Sequence, residues 1–322
     1  MDALVRYLGP RLHGKAEVDR SLARFTTYRL GGPAALYVEI ADRHDLDVLG
    51  DALDRFAASS EGTPLIVVGR GSNLVVSDQG FPGIVVRMGE SFATIVVDAE
   101  EDSWIIAGAA APLPTVANFA ARRGLSGVEF LVSIPGSIGG AVRMNAGAHG
   151  SEISERVSSV RLFDLDRLTL EDRKAGSLGF RYRSSDVTER HLVVDVTLGL
   201  SKQPSEEIRE RMREFRRHRE QTQPGALQNA GSVFKNPPGD SAGRLIETAG
   251  LKGHRIGGAS VSELHANFFI ADNTARAQDV FDLVHYVRSQ VKERFAVDLE
   301  PEIRFVGAFR ESAARVAGGD PS

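Results

Sequence analysis

Two glycine-rich stretches of this chain have the composition to grip an anion with backbone groups. The longer one covers residues 133–147, Ser-Ile-Pro-Gly-Ser-Ile-Gly-Gly-Ala-Val-Arg-Met-Asn-Ala-Gly. Glycine has no Cβ, so the chain can turn sharply there and its N–H groups can approach a ligand closely. Pro135 holds its own φ and biases Ile134 towards an extended conformation. The shorter stretch, Gly-Arg-Gly-Ser-Asn-Leu at 69–74, follows directly on the apolar run 65–68. It adds a hydroxyl and an amide to the backbone donors. Neither stretch is a P-loop, since no Gly-Lys-Ser/Thr follows, and Gly-x-Gly-x-x-Gly is absent. Either one alone also reads as a plain turn. Together they favour a dinucleotide with a central pyrophosphate, or the carbonyl edge of a flat ring.

The rest of the composition narrows the classes. At 322 residues, with 42% hydrophobic and 25% charged residues, the chain reads as an ordinary soluble globular protein of two or three domains. A net charge of −4 gives no electrostatic case for nucleic acid or an anionic membrane. With no cysteine there is no disulfide, thiolate nucleophile or cysteine-bound metal, which suits a reducing compartment. The eight histidines are scattered without a metal-ligand spacing, so no metal is expected. Residues 1–12 carry no apolar core of signal-peptide length, and the weakly polar stretch 105–116 is too short to span a bilayer. A cytoplasmic location and no membrane partner are expected, with a monomer favoured.

Several elements must position these stretches. Residues 1–20 read as a short helix and an arm, 25–34 as a strand-like piece ending in Gly31-Gly32-Pro33, and 35–40 as a strand. Asp42 is placed to cap a helix carrying Leu46, Leu49, Leu53 and Phe56. Strands are expected at 65–68, 83–87, 94–97 and 104–107, then a helix over 112–123 stopped by Gly124. Strands at 157–163 and 192–200 bracket a charged stretch, with no parallel βαβ rhythm in the first 200 residues. The pattern then predicts a charged helix from Ser205 to Arg219, a Pro/Gly-rich loop over 223–231 and a short helix over 243–249. A strand at 265–270, a long helix capped by Thr274, a strand at 299–306 and a disordered tail complete it.

Seven segments in order resemble one family, UDP-N-acetylenolpyruvoylglucosamine reductase, the FAD enzyme of peptidoglycan precursor synthesis. They are Thr-Thr-Tyr-Arg-Leu-Gly-Gly-Pro-Ala at 26–34, Gly-x-Gly-Ser-Asn at 69–73, Ile-Pro-Gly-Ser-x-Gly-Gly at 134–140 and Met-Asn-Ala-Gly at 144–147. Tyr-Arg-x-Ser at 182–185, Gly-Ser-x-Phe-Lys-Asn-Pro at 231–237 and Leu-Glu-Pro-Glu-Ile-Arg at 299–304 follow. The short interval between Arg183 and Ser232 resembles the family's compact subtype. The resemblance implies an α+β fold: a two-subdomain FAD-binding region of the vanillyl-alcohol-oxidase type plus a smaller α+β substrate-binding domain. The expected division is 1–200 for FAD, in subdomains of roughly 1–80 and 81–200, with 201–298 for substrate. A strand at 299–307 then returns to the active site, and 308–322 is the tail.

The implied reaction reduces a UDP-linked enolpyruvyl amino sugar to its lactyl ether, with NADPH as hydride donor and FAD as carrier. Such chemistry needs a proton donor at the carbon bearing the carboxylate, and groups that stabilise developing negative charge. The resemblance puts Ser232 as the donor, with Arg183 and Glu302 at the other two catalytic positions. Glu302 is preferred to Glu300, which shares its strand face. It implies FAD contacts at Gly69, Arg70, Gly71, Ser72, Asn73 and Leu74, at Ile134, Pro135, Gly136, Ser137, Gly139 and Gly140, and at Asn145, Ala146 and Gly147. Tyr28 and Arg29 are further candidates on the adenine side. Tyr182, Arg219, Lys235, Asn236 and His265 are the substrate candidates, with Asn267 as a pocket residue of no assigned role. An FAD oxidase acting on an alcohol or sugar would explain the two cradles but not the joint presence of Arg183, Ser232 and Glu302. A non-catalytic nucleotide-binding module would need no acid at position 232.

Overall fold

The computed structural model describes residues 1–56, 63–225 and 228–311, and packing divides them into two units. The first comprises Met1–Arg20, Ala34–Arg70 and Pro82–Arg219; the second comprises Ser21–Pro33, Gly71–Phe81 and the described residues from Glu220 onward. This division differs from the change of character expected near residue 200. Ile208 and Met212 bury one face of the helix Ser205–Thr222 in the core of the first unit. Two early segments belong to the second.

The first unit holds two sheets on one apolar core. One sheet has the strand order Lys15–Ser21, Pro33–Ile40, Phe81–Met88, Leu65–Val67. Its last pair is parallel, Leu65 opposite Ile84, in a region where the sequence suggested no parallel rhythm. A three-residue apolar strand is too short for its pattern to reveal orientation. The helix Arg43–Arg55 is capped as expected, the Asp42 carboxylate accepting from the Asp45 amide. The other sheet is antiparallel, in the order Thr169–Lys174, Val157–Asp164, His191–Gly199, Trp104–Gly108, Ile95–Val97. Thr169–Lys174 lies inside the stretch read as merely charged. It is an edge strand whose Asp172 faces Arg161 across the ladder at 3.2 Å, so its polar pattern reflects solvent, not a loop.

The central glycine stretch is not a loop throughout: residues Ile138–Met144 form an α-helix. Ile138, Ala141 and Val142 are buried, and the amides of Ile138 and Gly139 donate to the carbonyls of Ala111 and Ala109. A Cβ on Gly139 would stand 3.2 Å from that of Ala109, so glycine here permits the helix to lie against the sheet.

The second unit has its own core, built from Tyr28, Val75, Phe234, Phe269 and the buried face of the helix Ala277–Phe295. Leu74–Val76 pairs in parallel with Arg304–Val306, and Arg255–Ile256, Ala259–Val261 and Phe269–Ala271 form a small antiparallel sheet. Several expected boundaries shift. Residues 26–32 form no strand, and Tyr28 is fully buried, its hydroxyl donating to the Phe269 carbonyl at 3.0 Å. Tyr28 is therefore a core residue and not one that reaches out to a ligand. The strands expected at 265–270 and 299–306 shorten to Phe269–Ala271 and Arg304–Val306, because the preceding residues are tied by side-chain and irregular backbone bonds. Residues 308–311, expected to be tail, are packed: Phe309 stacks on Phe281 at 4.8 Å and the Arg310 amide donates to Gln278 Oε1 at 3.1 Å. Residues 312–322, like 226–227 of the expected loop, lie outside the described residues.

Thr274 does not cap the long helix; its hydroxyl is bound to Asp272 Oδ1 at 2.7 Å. The caps are Asp279, which accepts from the Arg276 amide at 2.9 Å, and Asp78. The Asp78 carboxylate accepts from the amides of Ala277 and Gln278 at 2.9 and 3.1 Å. Asp78→Ala is expected to cost about 1 kcal/mol, in the range for N-cap removal. Thr274→Ala should cost less, and urea denaturation of the two variants checks the order.

Candidate active site

Each unit holds some of the candidate residues, positioned by its own backbone. In the first unit the end of the strand Leu65–Val67, the helix Ile138–Met144 and the strand His191–Gly199 border a solvent-open cleft of about 630 Å³. Gly69, Arg70, Ser137, Gly139 and Gly140, all among the candidate cofactor residues, line it. Val67, Val68, Met88, Val187 and Val193 supply apolar wall, while Arg70, Arg87 and Arg143 supply cationic groups. A Cβ on Gly69 would fall 2.4 Å from Ser137 Oγ, so glycine at 69 leaves the Ser137 hydroxyl its place where the two stretches meet. Arg87, Arg143 and His191 were not singled out from the sequence. They lie on strands or in a helix whose patterns mark burial, and only the fold turns them to the cleft.

Gly71, Ser72, Asn73 and Leu74 belong to the second unit. Gly71 has φ +60°, and a Cβ there would overlap the Phe25 carbonyl oxygen at 1.8 Å. The Gly71 carbonyl accepts from the Thr27 amide at 3.3 Å. Beside it, Thr27 Oγ1 is the one buried side-chain polar atom among the described residues with no protein partner. Buried hydroxyls are rarely left so, which makes Thr27 a ligand-contact candidate that the sequence reading passed over. Asn73 Nδ2 donates to the Glu302 carbonyl at 3.0 Å, and its own carbonyl accepts from the Arg304 amide at 2.9 Å. Its amide thus braces the segment carrying Glu302.

Ser232 and Glu302 are brought together on adjacent segments of the second unit. The Glu302 amide donates to the Val233 carbonyl at 2.8 Å, and the Val233 amide donates to the Asn267 carbonyl at 2.8 Å. Asn267 completes the hold: its Oδ1 accepts from the Phe234 amide at 2.9 Å and its Nδ2 donates to the Phe234 carbonyl at 2.8 Å. It is 3% exposed, so its role is to fasten the Ser232 segment and not to line a pocket. Lys235 is paired with Glu300 at 2.7 Å. Glu300 is exposed on the lysine and Glu302 is half-buried beside the Ser232 segment. Asn236 Oδ1 accepts from the Ala242 amide at 3.0 Å and so joins the loop to the helix Ala242–Thr248. His265 Nδ1 accepts from the Asn267 amide at 3.2 Å, and burial holds its pKa below the ordinary histidine value. Burial thus favours the neutral form of the imidazole.

In the first unit, Tyr182 and Arg183 sit at the tip of a tight hairpin closed by reciprocal backbone bonds between Arg181 and Ser184, both 3.0 Å. Arg183 has φ +56°, uncommon for a non-glycine residue, and its guanidinium lies 4.7 Å from the Tyr182 ring centre. Arg219 donates to the Ser133 carbonyl, and burial lowers its pKa. His149 stacks on Phe215 at 4.1 Å and meets the Ser133 hydroxyl at 3.1 Å, a packing role beside Arg219. Asn145 is buried and does not line the cleft.

Comparison with known proteins decides the family. The family model described as UDP-N-acetylenolpyruvoylglucosamine reductase, C-terminal domain, matches residues 223–306, and one described as FAD binding domain matches 55–167. The UDP-N-acetylenolpyruvoylglucosamine reductase 2 of Symbiobacterium thermophilum is 44% identical over 91% of this chain and 93% of its own. The chain belongs to the UDP-N-acetylenolpyruvoylglucosamine reductase family. The Nitrobacter hamburgensis member is 40% identical over 92% of this chain and 95% of its own. The crystal structure of the Thermus caldophilus reductase (MurB) superposes with a TM-score of 0.76 at 37% identity, covering 92% of this chain and all of that one. The α+β FAD-binding fold expected from the resemblance is thereby established. Among the described residues no helix is long and apolar enough to cross a membrane.

FAD, the cofactor that this family's FAD-binding domain implies, suits the residues present. Within the first unit's cleft, glycine edges, the Ser137 hydroxyl and arginines match a pyrophosphate, and the apolar walls match a ring. Gly140 is exposed, and a Cβ there meets only Ser137 Oγ at 3.6 Å. Gly140→Val would therefore intrude on a ligand while clearing the protein. Fluorescence titration of the apoprotein should show FAD affinity reduced at least about tenfold, comparable to one lost favourable contact. The apoprotein's thermal midpoint should hardly move.

Proposed function

We propose that this protein is the NADPH-dependent, FAD-containing oxidoreductase that converts UDP-N-acetylenolpyruvoylglucosamine to UDP-N-acetylmuramate in the cytoplasm, for peptidoglycan precursor synthesis. What carries the reading is 44% identity to a reductase of that name across nine tenths of the chain.

FAD, when bound, supplies hydride to the terminal methylene carbon of the substrate. The chain's own residues then have three tasks. Ser232 delivers a proton to the carbon bearing the ether and carboxylate; an alcohol is a weak acid, but a carbanion-like carbon is a strong base. Its backbone is fastened through Val233 and Phe234 to Asn267 and through Val233 to Glu302. Arg183 holds the substrate carboxylate, its planar guanidinium absorbing charge as it develops. Glu302 completes the acidic side of the site beside the Ser232 segment. Arg219, Lys235 and Tyr182 are assigned to the diphosphate and sugar, with Asn236 and His265 shaping the loop that carries Lys235.

Anaerobic stopped-flow on the two half-reactions tests the assignment of Ser232. Ser232→Ala should keep normal flavin reduction by NADPH, which needs no proton donor. Reoxidation by the enolpyruvyl substrate should slow about 10²–10⁴-fold, the usual contribution of a general acid. Equal slowing of both half-reactions would instead make Ser232 a residue that positions the loop.

The diphosphate charge barely changes during the reaction, so its ligands bind ground and transition states alike. Lys235→Ala should accordingly raise KM more than it lowers kcat. A large kcat loss at constant KM in steady-state assays would move Lys235 into the catalytic set.

A further inference from the structure

We propose that Asn145 and Glu152 are positioning residues for the Arg183 guanidinium, so that the Asn145 side chain serves that arginine and not the flavin. The proposal rests on the reading of Arg183 as the ligand of the substrate carboxylate.

The observations all lie within the first unit. Asn145 ends the helix Ile138–Met144 in a left-handed conformation, φ 42°, and is 1% exposed. Its Nδ2 donates to Glu152 Oε2 at 2.7 Å and to the Arg181 carbonyl at 3.0 Å, and its Oδ1 accepts from the Ser154 amide at 3.2 Å. A carboxamide has two N–H groups, and both are spoken for, so none is left to donate to a cofactor. Two of these bonds converge on Arg183. The bond to Arg181 ties the helix end to the hairpin whose tip carries Arg183. The bond to Glu152 fixes the carboxylate whose other oxygen, Oε1, stands 3.5 Å from Arg183 Nη1.

Gly147 forms the floor. Its carbonyl accepts from Arg183 Nη2 at 3.1 Å. A Cβ on residue 147 would lie 3.2 Å from Nη1 and 2.5 Å from the Ser151 carbonyl oxygen, so a side chain there would displace both the arginine and the Gly147–Ala148 pairing with Ser151–Glu152. The guanidinium is therefore bounded by the Tyr182 ring, the Gly147 carbonyl and the Glu152 carboxylate. A left-handed φ at Arg183 costs about 1–3 kcal/mol and persists only where the surroundings enforce it. A preset guanidinium loses little rotamer freedom on meeting a carboxylate, and a displacement of 1 Å can cost about 10²-fold in rate.

Two substitutions approach the contact from opposite sides. Glu152→Gln keeps the side-chain shape and removes the charge, while Asn145→Gly removes the amide and retains a residue at ease with φ 42°. Each is prepared as FAD-loaded enzyme, reduced with dithionite and mixed with the enolpyruvyl substrate. FAD affinity of the apoprotein and substrate Kd of the oxidised enzyme are measured alongside. The expected result is FAD affinity within about twofold of the parent and reoxidation slowed about 10–10²-fold. Combining either change with Arg183→Ala should be no slower than Arg183→Ala alone, since residues that act through one group are not additive. Weakened FAD affinity with normal reoxidation would make Asn145 a cofactor ligand and overturn the proposal. Additive slowing in the double variants, or normal reoxidation in both single variants while Arg183→Ala is slow, would overturn it and leave the reading of Arg183 intact. Normal reoxidation in Arg183→Ala itself would overturn that reading and the proposal with it.

Discussion

The close approach of residue 139 to residue 109 is the contact from which the first unit's functional geometry follows. A Cβ at 139 would press on Ala109 at 3.2 Å, and glycine leaves that space open so that the helix lies close against the sheet. Two amides of the helix then donate to strand-end carbonyls, so the helix is registered by hydrogen bonds as well as by packing. One end of that registered helix lines the cleft through Ser137, Gly139 and Gly140. The other ends in Asn145, from which the hairpin bearing Arg183 is hung. A shift of the helix would move the cradle and the arginine socket together.

Much of this was legible in the sequence, and the failures have physical causes. Apolar periodicity located Arg43–Arg55, Leu113–Arg122 and Ala277–Phe295 because each buries one face and exposes the other. The strands of the five-stranded sheet were found wherever they carry apolar runs, and Thr169–Lys174 was missed because its residues face solvent. Ile138–Met144 was missed because Gly-Gly argues against a helix on propensity alone, while tertiary bonds to Ala109 and Ala111 decide the matter. Thr274 is a good capping type at the right distance, yet the amides it would have served are taken by Asp78, some 200 residues away. A long-range cap leaves no local signature.

The candidate site was legible at the level of motifs and less so at the level of roles. Gly69, Ser137, Gly139 and Gly140 line one cleft, as their types suggested. Asn145 and Gly147 stand in a motif as well, but their polar atoms point into the protein, as do those of Asn267 outside the motifs. A motif records every residue that cannot be changed, whether it touches a ligand or holds one that does. Only the hydrogen-bond partners separate the two classes.

Asn145 and Asn267 share a further property that bears on how such a site is tuned. Each is a buried carboxamide whose donor and acceptor sides are both used within the protein, and each lies one step behind a residue assigned to the chemistry. Asparagine suits this task because it satisfies a backbone N–H and a carbonyl at once, without a charge that burial would penalise. An aspartate at 267 would present two acceptors to the Phe234 carbonyl and repel it. On the proposed reading, the proton donor is a serine whose acidity cannot be moved far by its surroundings and the carboxylate ligand is an arginine that never loses its charge. Neither can be adjusted by shifting a pKa into the working range. Control must then lie in where the two groups are held, and that is where the buried amides act.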